Sequence, residues 1–324
     1  MTATVIPVEL AEAIINFLYD DPKTLATCSL VCSAWVARTR HLLFWTVHLD
    51  SSSSEAFINL LLHPCSTILR HIYRLGIDCS STSAGDTAPC HSRKIPSEDY
   101  LLPFDRFLSA FKRITDLRAI HGTDIQCLRL SNLDWTAYPL QLQSRITTTL
   151  ARLFPKTTSL GLDQVVLHDM RQLNVSVLRA FPGLERLEAR LKFLKYFEYP
   201  VALKPGPGKA SKLPTGLKEI ELVDEGMTTV LGCIAQNSSD SETQDALNVH
   251  SLSLKGCTPE MVPCVSGALH ALSGSLKTLR LSFLDNRFHE EPAFLLKDTF
   301  ECLSDKGYLQ SLHLDDINLT ASPI

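Results

Sequence analysis

"LKEIEL", residues 217–222, places apolar side chains at its first, fourth and sixth positions and polar ones between. Alternation over the last three positions is the period of a strand with one face buried. The same pattern recurs as IQCLRL (125–130), TTSLGL (157–162), LERLEA (184–189), VHSLSL (249–254), LKTLRL (276–281) and LQSLHL (309–314). Thr157 and Ala189 are its weak members. The fourth positions, Leu128, Leu160, Leu187, Ile220, Leu252, Leu279 and Leu312, are separated by 32, 27, 33, 32, 27 and 33 residues. Self-similarity at a period of that length is the mark of a repeat architecture. Three residues beyond the sixth position, Leu133, Val165, Cys257, Leu284 and Ile317 are again apolar. Phe154-Pro155 and Phe181-Pro182 precede their strands at one offset. IYRLGI (72–77) reads as an earlier unit. ITDLRA (114–119) also fits, but lies too close to the next strand for a full repeat.

Segments 141–153, 169–181, 226–236, 259–272 and 292–304 carry helical apolar spacing; Leu142, Ile146, Leu150 and Leu153 are one example. One strand and one helix per unit predict an α/β fold, with parallel strands stacked along a curved solenoid. The pattern resembles leucine-rich repeats with long units, although the usual ninth-position Asn is missing. Polar or Pro/Gly-rich stretches at 80–98, 200–216 and 237–248 read as loops. The repeat is expected to run through the middle one, because the 33-residue step from Leu187 to Ile220 equals the step from Leu279 to Leu312.

The start of the chain is different. In VIPVELAEAIINFLYD (5–20), Leu10, Ile14, Phe17 and Leu18 follow helical spacing and Ile15 widens the face. Pro7 suits a first helical position and Glu9 the first turn. Asp21-Pro22 predicts a capped second helix. Leu25, Cys28 and Val31 make one stripe; Trp35, Thr39 and Leu42 to Trp45 continue helically, with Ser33 as a cap. Three helices in so few residues bury little and are marginal alone.

IPVELAEAIINFL followed by LATCSLVCSAWVARTRHLLFWTVHL resembles the F-box, and is especially similar to F-box proteins of mushroom-forming fungi. The resemblance covers residues 5–49, with Ile6 in place of the usual opening leucine. It implies a three-helix F-box at 1–49, linker and irregular solenoid elements at 50–110, and a leucine-rich-repeat-like solenoid at 111–324. It implies further a substrate-recognition subunit of a cullin–RING ubiquitin ligase, bound to the Skp-type adaptor and through it to the cullin. Carried over by motif, Ile6, Pro7, Leu10, Ile14, Leu30, Val31, Cys32 and Trp35 would meet the adaptor. Ile14, Leu18, Leu25, Val31 and Trp35 are also expected to be partly core. An unidentified protein substrate would lie on the strand face, where fifth- and seventh-position side chains point outward. Arg129, Asp163, Glu188, Arg190, Glu221, Lys255, Arg280 and His313 are the candidates. The other reading is a repeat scaffold without a ligase role, whose helices only cap the solenoid.

Composition bounds the function. Apolar residues make up 45% and charged residues 20%, with a net charge of −4. That balance opposes nucleic-acid binding. No apolar run reaches the ~20 residues that span a bilayer. Glu9 and Glu12 interrupt the first apolar stretch and no base precedes it, so neither an export signal nor membrane attachment is expected. The ten cysteines then read as reduced thiols in the cytosol or nucleus. Cys65, His71, Cys79, Cys90 and His91 match no zinc spacing. GPGKAS (206–211) lacks the leading Gly and the Ser/Thr of a phosphate loop. No catalytic constellation, metal or cofactor is implied.

Overall fold

The computed structural model describes residues 6–50, 53–63, 66–80, 125–194, 213–224, 226–237, 247–283 and 308–315. The chain divides into two compact units: residues 1–129 with 152–157, and residues 130–151 with 158–324. ITDLRA, the segment 292–304, Leu284, Ile317, the potential zinc ligands Cys65, Cys90 and His91, and most of the three loops lie outside the described residues.

The first unit opens with α1 (Val8–Asn16), α2 (Pro22–Cys28) and α3 (Ser33–Phe44). Asp21 caps α2 as its sequence predicts, accepting from the Thr24 N–H at 3.0 Å and the Thr24 hydroxyl at 2.6 Å. The cap of α3 is Cys32 rather than Ser33, and its side chain makes no capping bond. Residues 46–49, placed in the three-helix F-box by the resemblance, form a strand, β1 (Thr46–Leu49). The reason is visible in FWTVHL (44–49): it carries the repeat pattern, with Phe44, Val47 and Leu49 at the apolar positions. After α4 (Ser54–Leu62) and a 3₁₀ turn (Ile68–His71), β2 (Arg74–Asp78) pairs parallel to β1, with Val47 opposite Leu75 and Leu49 opposite Ile77. Fourth positions therefore face fourth positions, and sixth face sixth.

β3 (Cys127–Ser131) begins in this unit. Its approach repeats one backbone device. Trp45 O accepts from the N–H groups of both Tyr73 and Arg74, and Tyr73 O from those of Gln126 and Cys127. Thr157, the polar member at a first position, is buried, and its hydroxyl donates to Ile125 O at 3.2 Å. A hydroxyl is tolerated in that column because the preceding repeat supplies its acceptor.

The second unit holds α5 (Leu140–Leu153, its last residues in the first unit), β4 (Ser159–Leu167), β5 (Arg186–Phe193), β6 (Glu219–Val223), α6 (Met227–Asn237), β7 (Ser251–Cys257), α7 (Val262–Leu272), β8 (Thr278–Phe283) and β9 (Ser311–Asp315). β4 to β9 pair consecutively and all in parallel. The register is the repeat itself: Leu160, Leu187, Ile220, Leu252, Leu279 and Leu312 stand opposite one another. The first five are at most 1% exposed. Pairing of Leu187 with Ile220 carries the ladder across residues 200–216. The fold is thus α/β with a parallel sheet.

The backbone repeats as well. Glu185 O, Lys218 O, His250 O and Lys277 O each accept two N–H groups from the start of the next strand. Asn132, Gln164, Asp224 and Gly256 have φ of 56°, 53°, 64° and 84°, and each lies two residues past a sixth position. At Gln164 and Gly256 the extra residue makes a bulge against the next strand. The chain turns there, and the next residue, Val165 or Cys257, goes back to the interior, as does Leu133 after Asn132. This accounts for the apolar residue found three past the sixth position.

The segment 169–181, expected to be one helix, is broken. Met170–Gln172 is a single turn, Leu173–Val177 widens to π geometry and Leu178–Ala180 tightens to 3₁₀. Asn174 sits buried in the widened turn, and Ser176 O accepts from the Thr147 hydroxyl of α5. Tertiary bonding outweighs helical regularity here. Gly226, before α6, is buried, and a methyl group on it would run into the Leu191 carbonyl oxygen. Gly226→Ala should lower stability by about 1–3 kcal/mol through overpacking. Gly274→Ala, where nothing lies within 4 Å of the added carbon, should leave it nearly unchanged. Urea midpoints of the two variants measure the difference; equal midpoints would mean that the Leu191–Gly226 approach relaxes freely.

Candidate interaction surfaces

In the first unit, α1 turns Ala11 and Ile15 inward, i and i+4 on one face, and they are 3% and 1% exposed. α1 and α2 each pack on α3. Leu25 is the buried residue of α2, and Thr39 of α3 returns its hydroxyl to Trp35 O at 2.8 Å. These small contacts leave large apolar side chains outside. Leu10, Ile14 and Phe17, spaced i, i+4 and i+7, form the outward stripe of α1; Leu10 is 58% exposed and Phe17 84%. Ile6 and Pro7 are exposed beside its start. Leu30 and Val31 form the turn between α2 and α3, Leu30 at 85% exposure, and Cys32 is exposed after them. Trp35 and Leu18 are half-buried.

Two expectations are corrected. Ile14 and Val31 do not share the interior; they are 52% and 62% exposed. The interior face of α1 is Ala11–Ile15, and Ile14, one residue and about 100° round the helix from Ile15, points away from it. Sequence reasoning also left Val8, Phe17 and Tyr19 out of the surface set, although all three are exposed. Phe17 was legible from its spacing to Leu10 and Ile14. Together these apolar side chains make an exposed cluster on the described part of the first unit.

The second unit carries the strand-face candidates on adjacent strands. Fifth positions align as Gly161, Glu188, Glu221, Ser253, Arg280 and His313; seventh positions as Asp163, Arg190, Val223, Lys255, Ser282 and Asp315. Arg129, on β3, belongs to the first unit and is half-buried. The ladder brings opposite charges together. Arg190 pairs with Asp163 at 3.6 Å and with Asp224 at 3.1 Å, Lys255 with Glu221, and Arg280 with Asp315 at 3.6 Å. Near the strand starts, Lys218 pairs with Glu185 at 2.7 Å and Arg186 with Glu219 at 3.3 Å. Half-exposed pairs of this kind are each worth under about 1 kcal/mol. They set the polarity of the face without fixing it against exchange with a partner's charges.

No protein-family model matches this sequence, and no curated protein matches it. Among the described residues, no helix is long and apolar enough to cross a membrane, and no group of His, Cys, Asp and Glu side chains is arranged to hold a metal ion.

The thiols divide sharply. Burial pushes Cys233 up to about 11 and Cys257 to about 12; burial, helped by the neighbouring Asp78 charge, pushes Cys79 to about 12. At pH 8 only ~0.1% or less of each is thiolate, the reactive form. Cys32 is exposed. Brief alkylation at pH 8 should label Cys32 well before Cys79, Cys233 and Cys257, as peptide mapping would report. Labelling of the four at one rate would mean that both interiors open on that timescale.

Proposed function

We propose that residues 1–49 are an F-box and that the chain is the substrate-recognition subunit of a cullin–RING ubiquitin ligase. The adaptor docks on Ile6, Pro7, Leu10, Ile14, Leu30, Val31, Cys32 and Trp35, the cullin joins through the adaptor, and the role is binding rather than catalysis. One observation carries the reading: the large apolar side chains of α1 and of the α2–α3 turn are exposed while small or single residues fill the interior. A partner supplies the burial that three short helices lack. The leucine-rich-repeat-like solenoid of the same proposal is supported by the in-register apolar column from Leu160 to Leu312.

The capping reading draws on a different observation. α3 runs directly into β1, and Trp45 O accepts the N–H groups that lead into β2. A cap, however, buries its apolar stripe, and the Leu10–Ile14–Phe17 stripe is exposed. Docking explains both features. Pro7→Ala with Leu10→Ala should remove about 2–4 kcal/mol of contact, roughly 30-fold or more in affinity. Adaptor recovery in co-purification should disappear while the circular dichroism melt stays in place. Undiminished recovery would leave the capping role standing.

The strand face of the second unit is proposed to select the protein substrate, with Asp163, Glu188, Arg190, Glu221, Lys255, Arg280 and His313 in contact and Arg129 beside them in sequence order. A mixed-charge face gives specificity and salt-sensitive association more than raw affinity. Reversing Glu188, Glu221, Lys255 and Arg280 together should strip substrate partners from a proximity-labelling set and spare the adaptor. A labelled set identical to that of the unaltered chain would move recognition away from these strands.

A further inference from the structure

A second feature of the first unit is independent of the adaptor reading. α3 packs on the 3₁₀ turn Ile68–His71, and the contact gathers cations. Arg40 donates from Nη1 to the Thr67 hydroxyl at 3.1 Å, which lays its guanidinium beside the turn. Arg70 donates from Nε to His71 Nε2 at 3.3 Å. The rings of His41 and His71 meet edge to face with centroids 6.2 Å apart. His41 also rests against Trp45, which stacks on Tyr73 at 4.2 Å, so the imidazole has an aromatic wall behind it. Arg38, on the same helix, donates to Asn16 Oδ1 at 2.7 Å.

The partners of these three guanidinium groups are an amide, a hydroxyl and an imidazole, all neutral. In the second unit, by contrast, Arg186, Arg190, Lys218, Lys255 and Arg280 each meet a carboxylate. Both imidazoles are held below their ordinary pKa, first by burial and then by cations: Arg38 on His41, and Arg70, His41 and Arg40 on His71. Among the described residues, the charges that lower the two imidazoles are those of basic side chains. Like charges gathered in a chain of net charge −4 make a local positive potential that draws a small anion. Guanidinium forks match the oxygens of phosphate. Arg40 uses one of its five donors on Thr67 and Arg70 one on His71, which leaves donors on both side chains for a ligand.

We propose that Arg40, Arg70, His41 and His71 form a binding site for a phosphate group, carried by a phosphorylated side chain of a partner protein or by a free phosphate compound. Two guanidinium groups beside two imidazoles suit one tetrahedral anion rather than an extended polyanion. The net charge of −4 on the whole chain opposes a nucleic-acid backbone or an anionic membrane. Binding and protonation are coupled. Arg70 donates to His71 Nε2, so that nitrogen is unprotonated in the free site. A bound dianion offsets the surrounding positive charge and lets the imidazoles take up protons.

The test uses the full chain at low ionic strength. Calorimetric titration with inorganic phosphate and with a phosphoserine peptide should give saturable binding, and acetate should give none. Arg40→Gln with Arg70→Gln should weaken binding at least ~10-fold. Arg40→Lys with Arg70→Lys keeps the charge, loses the fork and should fall between; it decides the matter if the glutamine pair fails to fold. NMR titration of the imidazoles should show the pKa values of His41 and His71 rising when phosphate is present, and no rise in the glutamine pair. Tighter binding of the peptide identifies a protein-borne phosphate; equal binding identifies a free one. Absence of heat with both phosphate ligands overturns the proposal, as does binding that the arginine variants leave unchanged. Uptake of a single-stranded RNA or of phosphatidylserine vesicles, lost in the same variants while phosphate gives nothing, overturns it in favour of a polyanion.

Discussion

Register is the constraint on which the second unit depends. Side chains on a strand alternate with a period of two, so a slip of one residue would move each leucine of the column from the interior to the solvent face. With Leu160, Leu187, Ile220, Leu252 and Leu279 all but fully buried in line, each strand is held by both neighbours at once. The carbonyls that accept paired N–H groups, Glu185, Lys218, His250 and Lys277, fix the same register from the backbone side. Apolar burial and hydrogen bonding therefore agree on one alignment, the condition for a unique fold. β9 shows where the agreement ends: Leu312 is only half-buried and Leu314 is 36% exposed.

The left-handed residues explain how a strand with a strict period leaves that period without leaving the core. Asn132, Gln164, Asp224 and Gly256 occupy one place in their repeats, yet only the last is glycine. Asn and Asp tolerate positive φ through short polar side chains, whereas Gln164 adopts it at a bulge that the opposing strand imposes. The residue type is thus set loosely while the conformation is set tightly. This is why the sequence pattern reveals the apolar residue that follows and not the turn that places it.

Much of the fold was legible because each strand carries three apolar positions and the period is long enough to exceed chance. β1 escaped because FWTVHL directly follows a helix, and its aromatic residues read equally well as the end of that helix. The broken segment at 169–181 escaped for a different reason. Its apolar spacing is helical, but the burial of Asn174 and the bond between Thr147 and Ser176 O are tertiary facts that no local pattern encodes. In the first unit, the identity of the exposed stripe was nearly readable; which face of α1 goes inward was not. Ile14 looked like core because it shares the 3–4 spaced apolar stripe with Leu18. Packing on α3 instead buried Ile15, one residue and about 100° further round the helix, together with Ala11.

The surfaces differ in what they offer to other molecules. On the strand face, opposite charges lie within reach of one another, so a partner must replace bonds already made and gains discrimination more than strength. On α1 and the α2–α3 turn, nothing in the described fold covers side chains as large as Phe17 and Leu30; covering them releases ordered water at roughly 25 cal/mol per Å² of apolar area. At the α3–3₁₀ contact the arginines meet neutral partners among the described residues, so an anion arriving there would itself bring the compensation. An apolar stripe would lend strength, paired charges discrimination and cations facing neutral partners a response to anions, all by one rule: a contact contributes to binding only to the extent that the free protein has not already satisfied it.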